Sequence, residues 1–530
     1  MGLRLYDTRT RRVRPFVPLR PGHVGVYVCG PTVQSPPHVG HIRTALAFDL
    51  LRRWLTQSGL SVTFVQNVTD IDDKIILNAD RAGTTVWELA TRQTRAFDEA
   101  YRAVGVLPPT ISPLATGHIP EMLEMISGLV ERGFAYPGAG SVWFRVGAFA
   151  DYGALSHQRP ASMHPSPEAE PGKADPRDFA LWKAAKPGEP SWASPWGPGR
   201  PGWHLECSAM AGKYLGAEFD IHGGGLDLVF PHHENERAQT ICAAGGPTGA
   251  EMANYWMHVG LLTTGGTKMS KSLGNSFFVT DALAAVRPQV LRYHLLSAHY
   301  RSSLEYSAQT LDESAAAHDR VETFVRNALD ILGGPAEAAA LAAEIDRGVS
   351  PAGHAAAAAP AAAASAPVSA AAKVLSATGT QRPGSVGEQS AAGQPGGCGN
   401  GDLTPGLAWA EFAAAMDDDL AVGRALAALF GAVSRGNQVL SKAHSRELAG
   451  WVDVTRRMLG VLGLDPVEQW PTAGAELRPA LDAVMGVLLD LRSAARSRRD
   501  YTEADSIRSR IGAAGVVIED TPEGQRWHLA

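Results

Sequence analysis

The sequence predicts an α/β protein in which a parallel sheet is followed by a helical C-terminal part. Residues 24–29 (VGVYVC) form an apolar run typical of a buried strand, and residues 42–59 repeat apolar side chains at helical spacing. A second strand-like run follows at residues 60–70. Strand, loop, helix and strand in this order are the opening of a parallel α/β unit. Helical periodicity returns over residues 407–465 and 476–511, which predicts the helical C-terminal part.

Length, charge and cysteine usage narrow the class of protein. The chain has 530 residues, which is enough for several domains. Its formal net charge is −6, so any contact with nucleic acid has to come from local basic patches. Four cysteines in a chain of this length are too few for a disulfide framework and favour a reducing, cytoplasmic setting. The N-terminus lacks the apolar segment of a signal peptide, and no apolar run outside the Ala-rich tract is long enough to cross a membrane.

The stretch from residue 203 to 236 carries three candidate metal ligands, Cys207, His232 and Glu236. His232 and Glu236 are four residues apart, so on a helix they project from one face. Cys29, at the end of the first strand, would complete a set of thiol, imidazole and carboxylate ligands that suits zinc better than magnesium or calcium. The alternative is that both cysteines are buried core thiols and that His232 lies at the surface. This pattern alone leaves both interpretations open.

Two further motifs suit a nucleotide. Residues 38–41 (HVGH) lie where the first strand meets its helix, and phosphates bind well at a helix N-terminus. Gly40 would allow another backbone or a nucleotide to approach closely. Residues 268–272 (KMSKS) follow a Gly-Gly turn, and two lysines three residues apart suit a polyphosphate. Each motif alone is also compatible with a turn or with a solvated basic loop, but the pair in this order is very specific.

These motifs resemble the class I aminoacyl-tRNA synthetases and, within that class, the cysteinyl-tRNA synthetase family. The resemblance is carried by YVCGPTV, HVGH, TDIDDKI, DFALWK, PSWASPWGPGRPGWHLECSAM, FDIHGGG, DLVFPHHENE, KMSKSLGN, AMDDD and IEDTPEG. It covers nearly the whole chain except residues 334–404. It implies a Rossmann-type parallel sheet with an inserted domain, followed by an α-helical bundle and a small anticodon-binding tail.

The resemblance and the composition together divide the chain into seven parts. Residues 334–404 are dominated by Ala, Pro, Gly, Ser and Gln and have too few large apolar residues to form a core. The expected parts are the first half of the catalytic domain (1–111), a connective insertion (112–202), the second half with the zinc cluster and the KMSKS loop (203–285), a helical junction (286–333), a flexible linker (334–404), a helical bundle (405–465) and an anticodon-binding region (466–530).

The resemblance also implies roles for individual residues. The implied zinc ligands are Cys29, Cys207, His232 and Glu236. The implied catalytic residues are His38, His41, Lys268 and Lys271. The other residues implied to contact ATP are Thr32, Gly40, Gly225, Asp227, Met269 and Ser270. The implied pocket for substrate cysteine consists of Cys29, Thr32, Trp203 and His222. The positions that match the anticodon-reading region are Arg496, Tyr501, Asp505 and Asp520.

The implied activity is the ATP-dependent conversion of L-cysteine to cysteinyl-adenylate and transfer of cysteine to the 3′-terminal adenosine of tRNA-Cys. The implied cofactor is one Zn²⁺ per chain, with Mg²⁺-ATP as a substrate. The expected partners are tRNA-Cys, L-cysteine and ATP, and a cytoplasmic monomer without membrane association is expected. Zinc would solve a selection problem, because a hydrophobic pocket discriminates a methylene by only about 1–3 kcal/mol, and cysteine differs from serine by one atom.

The sequence departs from the family pattern in three places. Residues 34–37 (QSPP) differ from the Tyr-Asp that often precedes the HxGH motif, Tyr501 stands where Trp is frequent, and typical members lack the 334–404 tract. Two other functions stay open. One is the cysteine:amino-sugar ligase of mycothiol synthesis, which has no use for the anticodon-reading tail in residues 407–530. The other is a non-catalytic zinc- or RNA-binding synthetase paralogue, which has no use for intact HVGH and KMSKS motifs.

Overall fold

The computed structural model describes residues 2–158, 171–246, 251–265, 267–268, 277–348, 403–440, 446–467, 478–514, 516–521 and 524–529. The strands are β1 (Arg4–Asp7), β2 (Arg12–Pro15), β3 (His23–Val28), β4 (Ser61–Gln66), β5 (Ala135–Gly138), β6 (Ser141–Phe144), β7 (Phe179–Ala184), β8 (Gly199–Pro201), β9 (Phe219–Gly225), β10 (Ala253–Val259), β11 (Leu262–Thr264), β12 (Thr267–Lys268), β13 (Leu304–Glu305), β14 (Val516–Thr521) and β15 (Gly524–Leu529).

The helices are α1 (Val39–Gln57), α2 (Asp73–Arg81), α3 (Val86–Ala103), α4 (Ile119–Glu131), α5 (Trp203–Leu215), α6 (Glu234–Ala243), α7 (Val279–Ala285), α8 (Pro288–Ser297), α9 (Ala308–Leu332), α10 (Pro335–Gly348), α11 (Pro405–Asp417), α12 (Val422–Val439), α13 (Arg446–Leu462), α14 (Arg478–Ser497) and α15 (Tyr501–Ala513). The chain divides into two compact units. The first comprises Met1–Asp319, Met416–Gly423 and Gly460–Ala530, and the second comprises Arg320–Ala415 and Arg424–Leu459.

A four-stranded parallel sheet in the order β10–β9–β3–β4 forms the centre of the first unit. Its strands β3 and β4 come from the two runs that the sequence predicts as strands, and α1 connects them. The predicted α/β class with a parallel sheet is therefore confirmed. Because the carboxyl ends of parallel strands share one edge, that edge carries Cys29 after β3, Gly225 at the end of β9 and Gly260 after β10.

Helix α1 packs on this sheet through a face of recurring apolar residues, including Ile42, Leu46 and Leu50, all buried. The Phe48 ring lies against β9 at Gly223, where an added Cβ would collide with it. This close contact fixes the helix that begins with the HVGH motif on the sheet.

Residues 135–201 contain a second, antiparallel sheet in the order β5–β6–β7–β8. Helix α4 precedes this sheet and packs with it, and both lie within the predicted insertion. Met122 of α4 and Phe144 of β6 belong to the same hydrophobic core as Met210 of α5 and Ile241 of α6. The stretch is thus packed directly on the two helices that carry candidate metal ligands. Its boundaries as an insertion, 112–202, stay a prediction.

A small sheet follows β10 and leads into the KMSKS motif. Strand β11 pairs antiparallel with β12 and parallel with β13. In this pairing Thr263 lies opposite Lys268, the first residue of the motif. Residues 269–276, and with them Met269, Ser270 and Lys271, lie outside the described residues.

The second unit is helical. Its buried residues include Phe324, Phe412, Leu429 and Trp451, which lie on α9, α11, α12 and α13. Helix α10 corrects one expectation, because it occupies the start of the stretch interpreted as a flexible linker. Alanine has the highest helix propensity, and proline at the first position starts a helix well, so this Ala-rich segment is helical and not linker. Residues 349–402 lie outside the described part of the chain.

The C-terminal part contains α14, α15 and the antiparallel pair β14–β15, in the order that the sequence predicts. Its small core consists of Met485, Ile511, Val516 and Ile518, with Trp527 packed against it. Across the described residues, the helices are too short or too polar for any of them to cross a membrane.

Candidate active site and metal centre

The four side chains predicted as metal ligands converge in the first unit. Cys29 directly follows β3, and Cys207 lies on α5. His232 lies in a single π-helical turn, Val229–His233, and Glu236 lies in the first turn of α6. All four side chains are buried. The segment after β3, the segment before α6, and the helices α5 and α6 therefore bring together residues that are up to 207 positions apart in the chain.

The distances from Cys29 Sγ to the other three ligand atoms fit one tetrahedral ion. Cys29 Sγ lies 3.6 Å from Cys207 Sγ, 3.3 Å from His232 Nε2 and 3.4 Å from Glu236 Oε1. His232 Nε2 lies 2.9 Å from Glu236 Oε1. Zinc bonds of about 2.3 Å to sulfur and about 2.0–2.1 Å to nitrogen or oxygen put neighbouring ligand atoms roughly 3.3–3.8 Å apart. Three distances match this range and the fourth is that of a hydrogen bond, so the group can hold a metal ion.

His233 lies beside the same group, although the sequence analysis did not single it out. The ligand atoms of Cys29, His232, His233 and Glu236 all lie within 4.8 Å of one another. His233 Nε2 is 4.0 Å from Glu236 Oε1, and His233 Nδ1 is 2.7 Å from His258 Nε2. The available signal was the spacing of three residues to Glu236, which also shares a helix face. Cys207 and His233 are therefore both candidates for the fourth ligand.

The electrostatics of the group favour metal-ligating protonation states for Glu236 and Cys207 only. Burial raises the pKa of Cys29 well above its usual value. Burial acts to lower the pKa of His232, but Glu236 and Cys207 raise it to about 10. Burial alone would raise the pKa of Glu236, but His232 and His222 hold it well below its usual range. Burial also acts to raise the pKa of Cys207, but a hydrogen bond from the Cys29 thiol and the neighbouring His232 lower it to about 6. Carboxylate and thiolate are the forms in which these residues bind metal ions. The cluster thus stabilises two anionic ligands in a buried place.

Two residues at the start of α5 hold the ring of His232 in place. His204 Nδ1 lies 2.9 Å from His232 Nδ1, and the Trp203 ring stacks on the His232 ring with centroids 4.3 Å apart. Burial and the nearby charge of His232 lower the pKa of His204 well below its usual value, so His204 is neutral and accepts the hydrogen bond. His232 Nδ1 donates it. The other nitrogen, Nε2, then faces the ligand group, which is the usual arrangement of a histidine that binds a metal.

A cleft of about 500 Å³ lies at the carboxyl edge of the parallel sheet. The predicted site residues that line it are Thr32, His38, Gly40, His41, Trp203, Gly225 and Asp227. Gly30 also lines it, and an added Cβ there would overlap the Asn67 carbonyl, so only glycine fits this backbone contact. Trp203 both lines the cleft and stacks on His232, so it contacts the cleft and the metal group.

The HVGH motif forms the N-terminus of α1. The rings of His38 and His41 stack with centroids 3.6 Å apart, and the His38 backbone N–H donates to His41 Nδ1 at 3.1 Å. A neutral His41 therefore carries its proton on Nε2, which can donate to a phosphate oxygen. The protein atoms nearest to an added Cβ on Gly40 would be those of the His38 ring, at 3.0 Å, and close approach of a nucleotide to Gly40 in the cleft stays a prediction. Gly40 makes room for that ring.

His222, predicted to line the cysteine pocket, is buried beside Cys29 and Glu236, and its contact with substrate stays a prediction. His222 is fully buried, and its Nδ1 and Nε2 contact the Tyr27 carbonyl at 3.0 Å and Glu236 Oε2 at 2.9 Å. It is absent from the lining of the cleft, where Thr32 and Trp203 lie. His222 thus supports Glu236 from behind the cleft wall. A histidine in a Gly-rich strand motif gives no indication of which face it occupies until the neighbouring strands are known.

The comparisons with known proteins agree with this geometry. Residues 15–316 match the family model described as tRNA synthetases class I (C) catalytic domain, 411–465 match the DALR domain, and 478–527 match the cysteinyl-tRNA ligase anticodon binding domain. The chain is 73% identical over 553 residues to a cysteine–tRNA ligase of Frankia casuarinae, and the alignment covers 100% of both chains. The chain belongs to the cysteine–tRNA ligase family. The predicted enzyme class, cysteine–tRNA ligase (EC 6.1.1.16), is confirmed.

More distant relatives support the same family and fold. A cysteine–tRNA ligase of Clavibacter michiganensis subsp. michiganensis is 48% identical over 543 residues, with 100% of this chain and 99% of the relative covered. The crystal structure of Mycobacterium tuberculosis methionyl-tRNA synthetase bound by methionyl-adenylate has a TM-score of 0.52 at 15% identity, and covers 83% of this chain and 91% of that one. At that identity the likeness concerns the fold, and the predicted class I synthetase architecture is confirmed. The amino-sugar ligase and the non-catalytic paralogue are not favoured.

The residues that match the family's anticodon-reading region lie in the part that matches the anticodon binding domain. Arg496 lies on α14, and Tyr501 and Asp505 lie on α15; all three are exposed. Asp520 belongs to β14. Their contacts with RNA stay a prediction.

Proposed function

We propose that the protein attaches L-cysteine to tRNA-Cys in two steps. The cysteine carboxylate attacks the α-phosphate of Mg²⁺-ATP, which forms cysteinyl-adenylate and releases pyrophosphate. The 2′-hydroxyl of the terminal adenosine of the tRNA then attacks the adenylate carbonyl and releases AMP. The observation that carries this proposal is the buried group of thiols, imidazole and carboxylate that lies behind the wall of a cleft lined by His38 and His41.

Zinc is the ion that this donor set suits best. Two sulfur atoms, an imidazole and a carboxylate at tetrahedral spacing are typical of zinc, and magnesium and calcium prefer oxygen ligands. When bound, zinc would lower the pKa of the substrate thiol and bind its thiolate, while a serine hydroxyl is a much poorer ligand. The protein would supply the ligands Cys29, Cys207, His232 and Glu236, and Thr32 and Trp203 would enclose the substrate.

We favour Cys207 over His233 as the fourth ligand. The separation of 3.6 Å between the sulfur atoms of Cys29 and Cys207 matches the edge of a tetrahedral site, and the lowered pKa of Cys207 favours its thiolate. His233 Nδ1 already contacts His258, whose own Nδ1 lies 2.8 Å from Thr8 Oγ1. His233 therefore has a second role as part of a hydrogen-bonded chain behind the group.

The phosphates of ATP would be bound by the signature motifs. His38 and His41 would donate to the reacting phosphate, and Lys268 and Lys271 would neutralise the leaving pyrophosphate. Gly225 and Asp227 line the cleft at the end of β9 and would lie near the adenylate ribose. The mechanism needs no protein nucleophile, since positioning and charge stabilisation are sufficient for this transfer.

The tRNA would be read far from the cleft, in the C-terminal part. Exposed Tyr501 can stack on an anticodon base, and Arg496 and Asp505 can form hydrogen bonds to bases or phosphates. Such contacts would give the protein its preference for tRNA-Cys. Two thiols that must stay reduced fit the cytoplasm, where translation takes place, and we propose that the protein acts there as a monomer.

The test is charging of tRNA by the purified protein, with cysteine and serine as competing amino acids and an amino-sugar as a competing acceptor. We expect cysteinyl-tRNA, little seryl-tRNA and no amino-sugar product. Adenylate formation with transfer only to the amino-sugar would identify the mycothiol-type ligase. No adenylate formation at all would identify a binding protein.

A further inference from the structure

Arg43 has an unusual environment for a charged residue. It lies on α1 two residues after His41, and only 2% of its surface is exposed. Its guanidinium donates to three backbone carbonyls, with Nη1 2.7 Å from Leu261 O, Nη2 3.5 Å from His299 O, and Nη2 also bonded to Ser302 O. Burial lowers the pKa of Arg43 to about 10, so the side chain is still a cation at neutral pH. A buried cation held by carbonyls indicates a positional role.

The carbonyls that Arg43 binds belong to the base of the hairpin that carries Lys268. Leu261 immediately precedes β11, and Ser302 lies just before β13, which pairs with β11. In turn β11 pairs with β12, where Thr263 lies opposite Lys268. One guanidinium therefore connects the helix that begins with the HVGH motif to two strands of the sheet that leads into the KMSKS motif.

The segment at residues 299–302 also packs closely against Gly260, directly after β10. The Gly260 backbone N–H donates to the Tyr300 carbonyl at 2.7 Å. An added Cβ on Gly260 would collide with the carbonyls of Arg301 and Ser302. The segment from residue 299 to 302 is thus packed directly against the end of β10.

On the far side the segment is held by Asp419, from the AMDDD motif that the predicted site left without a role. Asp419 Oδ1 accepts from the Tyr300 hydroxyl at 2.7 Å, and Oδ2 accepts from Arg301 Nη2 at 2.6 Å. Asp419 Oδ1 also accepts from the Tyr6 backbone N–H at 2.8 Å. With this side fixed, Arg43 determines how the segment is placed relative to α1.

We propose that Arg43 is a positioning residue for cysteine activation: it fixes the strand that carries Lys268 relative to the helix that carries His38 and His41. The inference rests on the roles proposed above for these residues. The phosphates that separate during activation must be contacted from both sides at once, and a misplacement of about 1 Å costs roughly 10²-fold in rate. Arg43 is one of the residues that line the cleft, but its guanidinium is bonded to the three carbonyls and in this account holds neither substrate nor metal ion, so its loss should slow the chemical step without affecting cysteine selection.

The test compares the full-length variants Arg43→Met, Arg43→Lys and Arg52→Met. Arg52 is a matched control, since it lies on the same helix and donates to a backbone carbonyl, that of Pro108 at 2.6 Å, away from the hairpin base. Cysteine-dependent exchange of pyrophosphate into ATP gives kcat and KM, and metal content and the urea unfolding midpoint are measured on the same samples. For Arg43→Met we expect kcat to fall about 10²-fold, with unchanged metal content and unchanged KM for cysteine. Arg43→Lys keeps the charge but not the planar set of guanidinium N–H donors, so its kcat should be intermediate. It should fold even if Arg43→Met does not.

The double variant Arg43→Met, Lys268→Ala tests whether the loss of kcat in Arg43→Met arises through the strand that carries Lys268. If Arg43 acts through the strand of Lys268, the loss in the double variant should be much smaller than the product of the two single losses. Multiplicative losses, or Arg43 variants with the kcat of Arg52→Met, would overturn the inference. A Lys268→Ala variant with full activity would instead refute the proposed role of Lys268, so the two failures are distinguishable.

Discussion

Cys207 and His233 compete for one place in the metal group, and their other contacts differ. Besides Cys29 and His232, Cys207 Sγ contacts Asn67 Oδ1 at 3.7 Å. His233 Nδ1 is engaged by His258, and burial together with the nearby charge of His222 lowers the pKa of His233 well below its usual value. A neutral His233 suits a supporting hydrogen-bonded chain, and the Cys207 thiolate suits an ion.

Substitution of each residue should separate these roles. Cys207→Ser should lose stoichiometric zinc and selectivity for cysteine over serine together, with a larger loss of metal affinity than the ~10–100-fold that removal of a supporting partner costs. His233→Ala should retain zinc, with affinity reduced by at most that factor. Metal content after dialysis against increasing concentrations of a chelator measures the metal affinity of both variants. Full zinc in Cys207→Ser together with none in His233→Ala would reverse the assignment.

For single residues, the sequence analysis predicted the metal ligands but not the side chains that support them. The family resemblance implied Cys29, Cys207, His232 and Glu236 as zinc ligands, and the structure places the other three close to Cys29, while zinc binding by this set stays a prediction. The support of His232 by His204, and of Glu236 by His222, was not predicted. These contacts depend on how α5 and β9 pack around the group, and no spacing in the sequence encodes that packing.

Among the helices, α1 and α8 are joined by a buried ion pair. Arg292 bonds to Asp49 and also donates to the carbonyls of Leu462 at 2.7 Å and Val104 at 3.1 Å. Asp49 also accepts from Arg53 at 2.8 Å. Burial alone would raise the pKa of Asp49, but Arg292 and Arg53 lower it below its usual value. Removing one partner of such a pair leaves a buried charge without its counterion.

Asp49→Asn should therefore destabilise the protein by about 3–5 kcal/mol. The matched control is Asp319→Asn, because Asp319 pairs with Arg287 at the surface, where both side chains are at least half exposed. That change should cost no more than about 1 kcal/mol. Urea unfolding of both variants measures the difference, and equal losses would contradict the account.

Helix α8 also contains a titrating group that destabilises the fold in mild acid. Burial lowers the pKa of His294 to about 4, and its Nδ1 lies 3.0 Å from Ser314 Oγ. As the pH falls below about 6.5, the unfolded chain binds a proton that the folded protein excludes, so stability decreases by about 1.4 kcal/mol per pH unit until about pH 4. His294→Asn keeps a polar partner for Ser314. Because it removes one titrating group, it should reduce the slope of unfolding free energy against pH by about 1.4 kcal/mol per pH unit between about pH 6.5 and about pH 4. Parallel slopes of unfolding free energy against pH for the two proteins would refute the prediction.

Element prediction worked where periodicity was strong and failed where composition was ambiguous. Strands β3 and β4 and helix α1 have continuous apolar or helical patterns, and they occur where predicted. The Ala-rich segment at Pro335–Gly348 has a composition that fits both a linker and a helix. Its helix propensity decided the outcome, while the scarcity of large apolar residues suggested a linker.

For the molecule as a whole, we predict that the part of the 334–404 tract outside the described residues, 349–402, is dispensable for the proposed chemistry. Its replacement by a Gly/Ser segment of equal length should leave charging within about twofold, since such segments behave as flexible chains that can connect the flanking helices α10 and α11. Steady-state charging of tRNA-Cys by the purified variant measures this, with adenylate formation as the internal control. Normal adenylate formation with abolished charging would assign the tract a role in tRNA binding.

The most direct test of the central claim, that a metal ion selects cysteine by binding its sulfur, uses Co²⁺ in place of the native ion. Cobalt at a tetrahedral site with two protein thiolates absorbs in the near ultraviolet through charge transfer from sulfur and in the visible through d–d transitions. L-cysteine should add a further sulfur-to-cobalt transition, and L-serine at the same concentration should leave the spectrum unchanged. A spectrum that does not respond to cysteine, or that responds equally to serine, would contradict selection by a thiolate bond.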